Sequence, residues 1–134
     1  MLIGYDSNEV AGTCVSDIIK AGVLPVAIEF MDRPCIEATE AFAKAGYPMC
    51  EALLIIEVEG SPAEIDEQLA VIKEIARRHN PVELREAQDA DEAARRIHEC
   101  AARVPGIDGC VRLDEALVRP APHQREAVAA RSTH

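Results

Sequence analysis

The acidic side chains are the residues with the most obvious chemistry. Glu29 and Asp32 lie three apart. Two carboxylates can serve as acid and base when burial raises one pKa above the other. Asp32, however, immediately precedes a helical pattern, where an Asp side chain ordinarily accepts a backbone N–H. Glu29 reads as an exposed or interface-facing strand residue. Glu29 and Asp32 are the weak catalytic candidates, and neither is assigned a catalytic role. Glu57 and Glu59 lie two apart, facing the same way on a strand. They fit a solvated or domain-facing surface better than a cation site. His79 and His98 are 19 residues apart, with no third ligand at metal spacing. Arg77-Arg78-His79 is explained by the favourable placement of cations at a helix C-terminus. Cys14 and Ser16 have no adjacent base. No catalytic, cofactor-binding or metal-ligating set is assigned.

The five cysteines, Cys14, Cys35, Cys50, Cys100 and Cys110, include no C-x-x-C pair. Their odd number and scatter read as buried, reduced thiols of a cytoplasmic protein.

The elements that would carry these residues alternate between strand and helix. A short strand is expected at Met1–Asp6, open enough to form a sheet edge. Ser7 or Asn8 caps a helix to about Ala21, ended by Gly22. Pro25–Met31 reads as a strand with Pro at its first residue. Asp32 then caps a helix to about Lys44, with Pro34 in its first turn. Ala52–Glu59 contains the apolar run Leu53-Leu54-Ile55-Ile56, too short for a helix. Ser61-Pro62-Ala63-Glu64 is a capping box, opening a helix to about His79. Val82 and Leu84 alternate with Glu83 and Arg85 in a half-exposed strand over 81–87. A last helix is expected from Asp89 or Asp91 to about Val104, then a short strand or helix within 111–118. From Arg119 onward no apolar periodicity remains, and a mobile tail is expected.

A doubly wound parallel sheet would need nearly all-apolar strands. Glu29, Glu57, Glu59, Glu83 and Arg85 fall on the candidate strands instead. The expected class is therefore α+β. Its form is a ferredoxin-like antiparallel sheet with helices on one face and an extra helix between the second and third strands. The expected domain spans 1–104, followed by a divergent, partly disordered segment over 105–134. Ala27, Met31, Leu53 and Ile55 would share the sheet face away from the helices and lie uncovered, which favours a homodimer.

Composition bounds the partners. Hydrophobic residues are 49% of the 134, yet aromatics are only 3% and Trp is absent, so the core must be aliphatic. The net charge of −10 comes entirely from residues 1–90. Such a surface repels phosphate backbones and argues against nucleic acid. No apolar run reaches the roughly 20 residues of a membrane span, and no signal peptide is visible.

Four stretches, in order, resemble the C-terminal domain of the FAD-linked oxidase family, which includes glycolate oxidase and D-lactate dehydrogenase. They are Ala21-Gly22-Val23-Leu24-Pro25-Val26-Ala27-Ile28-Glu29-Phe30-Met31-Asp32, then Phe42 through Ala45-Gly46-Tyr47-Pro48. The strand Leu54 through Gly60 and Ala87-Gln88-Asp89 follow. The resemblance covers about residues 1–96. It implies a substrate-side domain that, in the full enzymes, follows an FAD-binding domain and closes over the flavin during oxidation of 2-hydroxy acids. FAD is thus implied for the full-length family, and no cofactor for this chain, whose seven glycines are scattered. The family's Trp-x-x-Arg-Lys box is not reproduced at Arg95-Arg96-Ile97-His98. Its His-x-Gly-Asp-Gly-x-x-His segment is not matched at His123 or His134. The resemblance therefore implies a fragment or truncated relative, inactive alone, partnered by an FAD-binding domain or subunit. The readings left open are a free-standing small-ligand or self-associating module and a structural subunit docked on a separate FAD-bearing chain.

Overall fold

A computed structural model describes residues 1–87, Glu92 and the strand Cys110–Arg112. The elements run β1 (Leu2–Tyr5), α1 (Asn8–Lys20), β2 (Ala27–Asp32), α2 (Arg33–Ala43), β3 (Ala52–Glu57), α3 (Pro62–Arg78), β4 (Glu83–Arg85) and β5 (Cys110–Arg112). Apart from Glu92, the expected helix over 89–104 lies outside the described residues, as does the tail from 119.

The five strands form one sheet in the order β4-β1-β3-β2-β5, and every neighbouring pair is antiparallel. The α+β class expected from the charged strand positions is the class observed. β1 is not an edge. It lies between β4 and β3, with Leu2 opposite both Ile55 and Arg85. Sequence pattern cannot distinguish a short central strand from a short edge, because both look like four or five apolar-rich residues. Burial separates them: all four β1 residues are buried. Among the described residues the edges are β4 and β5, each three residues long.

Each helix start has a local cause. Ser7 accepts from the Val10 amide at 3.3 Å and Asp32 from the Cys35 amide at 3.0 Å. At α3 the Ser61 amide donates to Glu64 Oε2 at 2.8 Å, while Ser61 Oγ accepts from the Glu64 amide at 3.5 Å. Each cap satisfies N–H groups that the helix itself leaves unpaired. Lys44 ends α2 in the left-handed region at φ 51. Gly60, at φ 141, turns the chain between β3 and α3. That turn ends β3 at Glu57, two residues before the expected Glu59. β2 starts at Ala27 instead of Pro25, although the Val26 amide already donates to the Glu57 carbonyl at 2.9 Å.

Two cores flank the sheet. On one face α1 and α3 bury Cys14, Val15, Ile18, Ile72 and Ile75 against Ile3, Tyr5, Ile28, Leu54 and Ile56. On the other, α2 and the chain after it cover Leu2, Met31, Leu53 and Ile55 with Cys35, Ile36, Tyr47 and Cys50. This corrects the expected bare face. Alternation placed Ala27, Met31, Leu53 and Ile55 together correctly, but all four are buried. The extra helix α2 folds back along β2 onto that face, which strand alternation alone cannot reveal.

The approach of the segment over 44–50 depends on Gly4. A Cβ at this position would stand 3.1 Å from Cys50 Sγ, 3.3 Å from Val82 Cγ2 and 3.4 Å from Pro48 Cγ. The segment is held by two further bonds. The Tyr47 amide donates to Glu40 Oε1 at 2.7 Å, and Arg85 Nη1 donates to the Gly46 carbonyl at 2.8 Å.

Candidate functional site

The two carboxylates that most resembled a catalytic pair are not brought together. Successive strand residues point to opposite faces. Glu29, opposite Ile55, shares the α2 face with Met31, whereas Asp32 ends the strand and caps α2. Asp32 therefore takes the capping role expected of it. Glu29 departs from expectation: it is buried, with 6% of its surface accessible. Its burial arises because α2 roofs a face that looked solvated in the sequence. Glu57 is half-buried and Glu59 is exposed. They form no metal set, and no group of three or more His, Cys, Asp or Glu among the described residues could hold a metal ion.

His98 lies outside the described residues, while Ser16, Arg78 and His79 are used structurally. Ser16 Oγ donates to the Gly12 carbonyl at 3.1 Å, inside its own helix. Arg78 pairs with Glu74 at 2.6 Å. His79 caps the end of α3, as expected, and its Nε2 lies 3.0 Å from Asp17 Oδ2 on α1. The hydrogen bond from His79, followed by the charge of Lys20, holds the Asp17 carboxyl below the usual Asp range. This link between α1 and α3 spans 62 residues of sequence, so no local pattern announced it.

The thiols are poorly disposed for nucleophilic chemistry. Cys14, Cys35 and Cys50 are buried. Burial pushes the thiols of Cys14 and Cys50 above their ordinary range, whereas a reactive cysteine needs a stabilised thiolate. The Tyr5 hydroxyl lies 3.1 Å from Cys14 Sγ and 3.2 Å from the Ala76 carbonyl. Burial raises the Tyr5 pKa far above the ordinary phenol value. The trio is a polar tie between the sheet and two helices.

A dinucleotide pyrophosphate is best received by uncapped helix N-termini and a glycine-rich turn. Neither is present among the described residues. The amides of α1, α2 and α3 are met by Ser7, Asp32 and Ser61, with Glu9, Asp32 and Glu64 adding negative charge beside them. The glycines at positive φ, Gly22, Gly46 and Gly60, lie in three separate turns. These residues do not fit FAD, and no chemical step through a flavin follows from them.

What fold and side chains define is an α+β domain with two aliphatic cores and no assembled catalytic centre among the described residues. The chain belongs to the family described as FAD linked oxidases, C-terminal domain, which matches residues 1–118. That match runs past residue 96, where the visible resemblance was expected to end. The glycolate oxidase subunit GlcD of Escherichia coli K12 is 38% identical over 96 residues, covering 71% of this chain and 19% of the relative. The glycolate oxidase subunit GlcD of Bacillus subtilis 168 is 33% identical over 94 residues, covering 69% of this chain and 20% of the relative. The chain thus spans about a fifth of the length of the curated relatives it matches.

Proposed function

We propose that this chain is the substrate-side domain of a flavin-dependent 2-hydroxy acid oxidoreductase acting on glycolate or D-lactate, a domain inactive without an FAD-binding partner. The observation that carries this reading is the family match over residues 1–118, set beside relatives named as glycolate oxidase subunits that are about five times longer than the matched part. The capped, acidic helix starts agree with a domain that leaves the dinucleotide to another part of the enzyme. Its ferredoxin-like unit is taken to be residues 1–104, with 105–134 as a divergent segment, in a cytoplasmic protein. No helix among the described residues is long and apolar enough to cross a membrane.

The partner in this reading is an FAD-bearing domain or subunit. The DNA around the coding sequence tests it. A segment encoding an FAD-binding domain just upstream, in the same frame or in a neighbouring gene, is the expected result. Its absence would favour a free-standing module that binds a small ligand or itself. A homodimer is proposed as a further partner relation. It can no longer rest on an uncovered sheet face, since that face is buried.

A further inference from the structure

We propose that the chain joining β4 to β5, residues 88–109, crosses the sheet on the α2 face and docks against the exposed end of α2 at Phe42. Strand order and direction carry this inference. Every neighbouring pair along β4-β1-β3-β2-β5 is antiparallel, so β1 and β2 point one way and β3, β4 and β5 the other. β4 and β5 are thus parallel strands, with β1, β3 and β2 between them. A chain leaving the end of β4 must return to the start of β5 over one face or the other.

Two crossovers between parallel strands are already in place. α1 joins β1 to β2, and α3 joins β3 to β4. Both helices pack on the face of Ile3, Leu54 and Ile56. With β1 and β2 taken as pointing up, the first crossover steps towards the β5 edge. β3 and β4 then point down, and the second crossover steps towards the β4 edge. Reversing both direction and step preserves the hand, so the two crossovers have the same hand. The connection from β4 to β5 starts from a strand pointing down yet steps towards the β5 edge. On the face of α1 and α3 it would have the opposite hand. On the α2 face it has the same hand as the other two. Crossovers between parallel strands are right-handed in about 98% of cases, which decides for the α2 face.

Contacts at the exit from β4 leave that choice to the hand. Arg85 Nη1 donates to the Gly46 carbonyl at 2.8 Å on the α2 side, while Glu86 pairs with Lys73 of α3. The Arg85 bond does place the exit beside the end of α2, because Gly46 comes four residues after Phe42. Phe42 is unlike the rest of its stripe. It follows Thr39 by three and Cys35 by seven, both buried, and residues at those spacings share a helix face. Yet Phe42 is 69% exposed. The occupant has matching chemistry and reach. Ala93, Ala94, Ile97 and Ala101 recur at helical spacing within 88–109. β4 and β5 are four strand spacings apart, roughly 19 Å. The residues over 88–109 reach about 33 Å even as a continuous helix.

A photoreactive probe tests the crossing in the full chain. With Phe42 replaced by p-benzoylphenylalanine, irradiation followed by peptide mapping should show attachment to 88–109, in a yield unchanged on dilution. The same probe at Ser16 of α1 or Glu67 of α3, both exposed, should not reach that segment. A probe at Ile97 should attach to α2, which tests the contact without altering Phe42. An unchanged circular dichroism spectrum checks that each variant is folded. Attachment of 88–109 to the Ser16 or Glu67 probe, or to none of the three, would overturn the crossing. A yield at position 42 that falls on dilution would overturn the docking and give Phe42 to a second copy instead.

Discussion

Gly4 provides the sharpest test of how the second core is assembled. Its absent side chain lets the segment over 44–50 cross β1 and β4, with Cys50 Sγ 3.1 Å, Val82 Cγ2 3.3 Å and Pro48 Cγ 3.4 Å from where a Cβ would stand. In Gly4→Ala, the gain of roughly 0.5–1 kcal/mol from replacing a strand glycine opposes contacts that need shifts of a few tenths of an ångström. A small net change is expected. Gly4→Val adds two methyl groups to the same space, and overpacking of this kind costs about 1–3 kcal/mol. The affected segment also carries the Tyr47 and Gly46 hydrogen bonds, so they should loosen with it. Urea unfolding followed by far-ultraviolet circular dichroism is the suitable assay, because the chain has no Trp. A double-mutant cycle with Cys50→Ala isolates the contact. The Gly4→Val penalty should be smaller when the sulfur is gone. An unchanged midpoint in Gly4→Val, or an equal penalty with and without Cys50, would refute the close approach.

Three further outcomes follow from the polar ties. Ser61→Ala removes the acceptor of the Glu64 amide and should cost about 1 kcal/mol; an unchanged urea midpoint would show that the box contributes nothing. Tyr5→Phe deletes a buried hydroxyl that donates to the Ala76 carbonyl. It should cost roughly 0.5–1.5 kcal/mol, because that carbonyl still accepts from the His79 amide at 3.1 Å. Asp17→Asn should lower stability near neutrality. The folded Asp17 carboxyl is held low, chiefly by His79, so its contribution is present above the unfolded Asp value of about 3.9. That contribution is lost as pH falls through the lower folded value. The gap between the native chain and Asp17→Asn should therefore close in acid, and a constant gap would contradict the link.

The sequence made local starts and stops legible because their causes are local. Ser61 and Glu64 lie three apart, and Asp32 stands two residues before Pro34, so both caps could be read and both are present. The charged strand positions also conveyed an antiparallel sheet. The position of β1 and the face taken by α2 were not legible. Each depends on contacts between residues far apart in the chain, such as Leu2 with Arg85 or Met31 with Leu53. Glu29 shows the same limit at the candidate site. Its neighbours Ile28 and Phe30 indicate a strand, but only the fold of α2 determines that its carboxyl is buried. The Asp17–His79 link was invisible for a related reason, since neither residue has an unusual local setting.

The proposed role makes a direct chemical demand. The purified chain should hold no flavin, because its helix starts are capped and acidic and its glycines form no phosphate cradle among the described residues. Incubation with FAD, desalting and a visible absorbance spectrum, with glycolate and then D-lactate added, measures this in one experiment. A colourless protein that oxidises neither substrate is expected. A flavin absorbance band that survives desalting and bleaches on adding either acid would contradict a domain that leaves FAD binding to a partner.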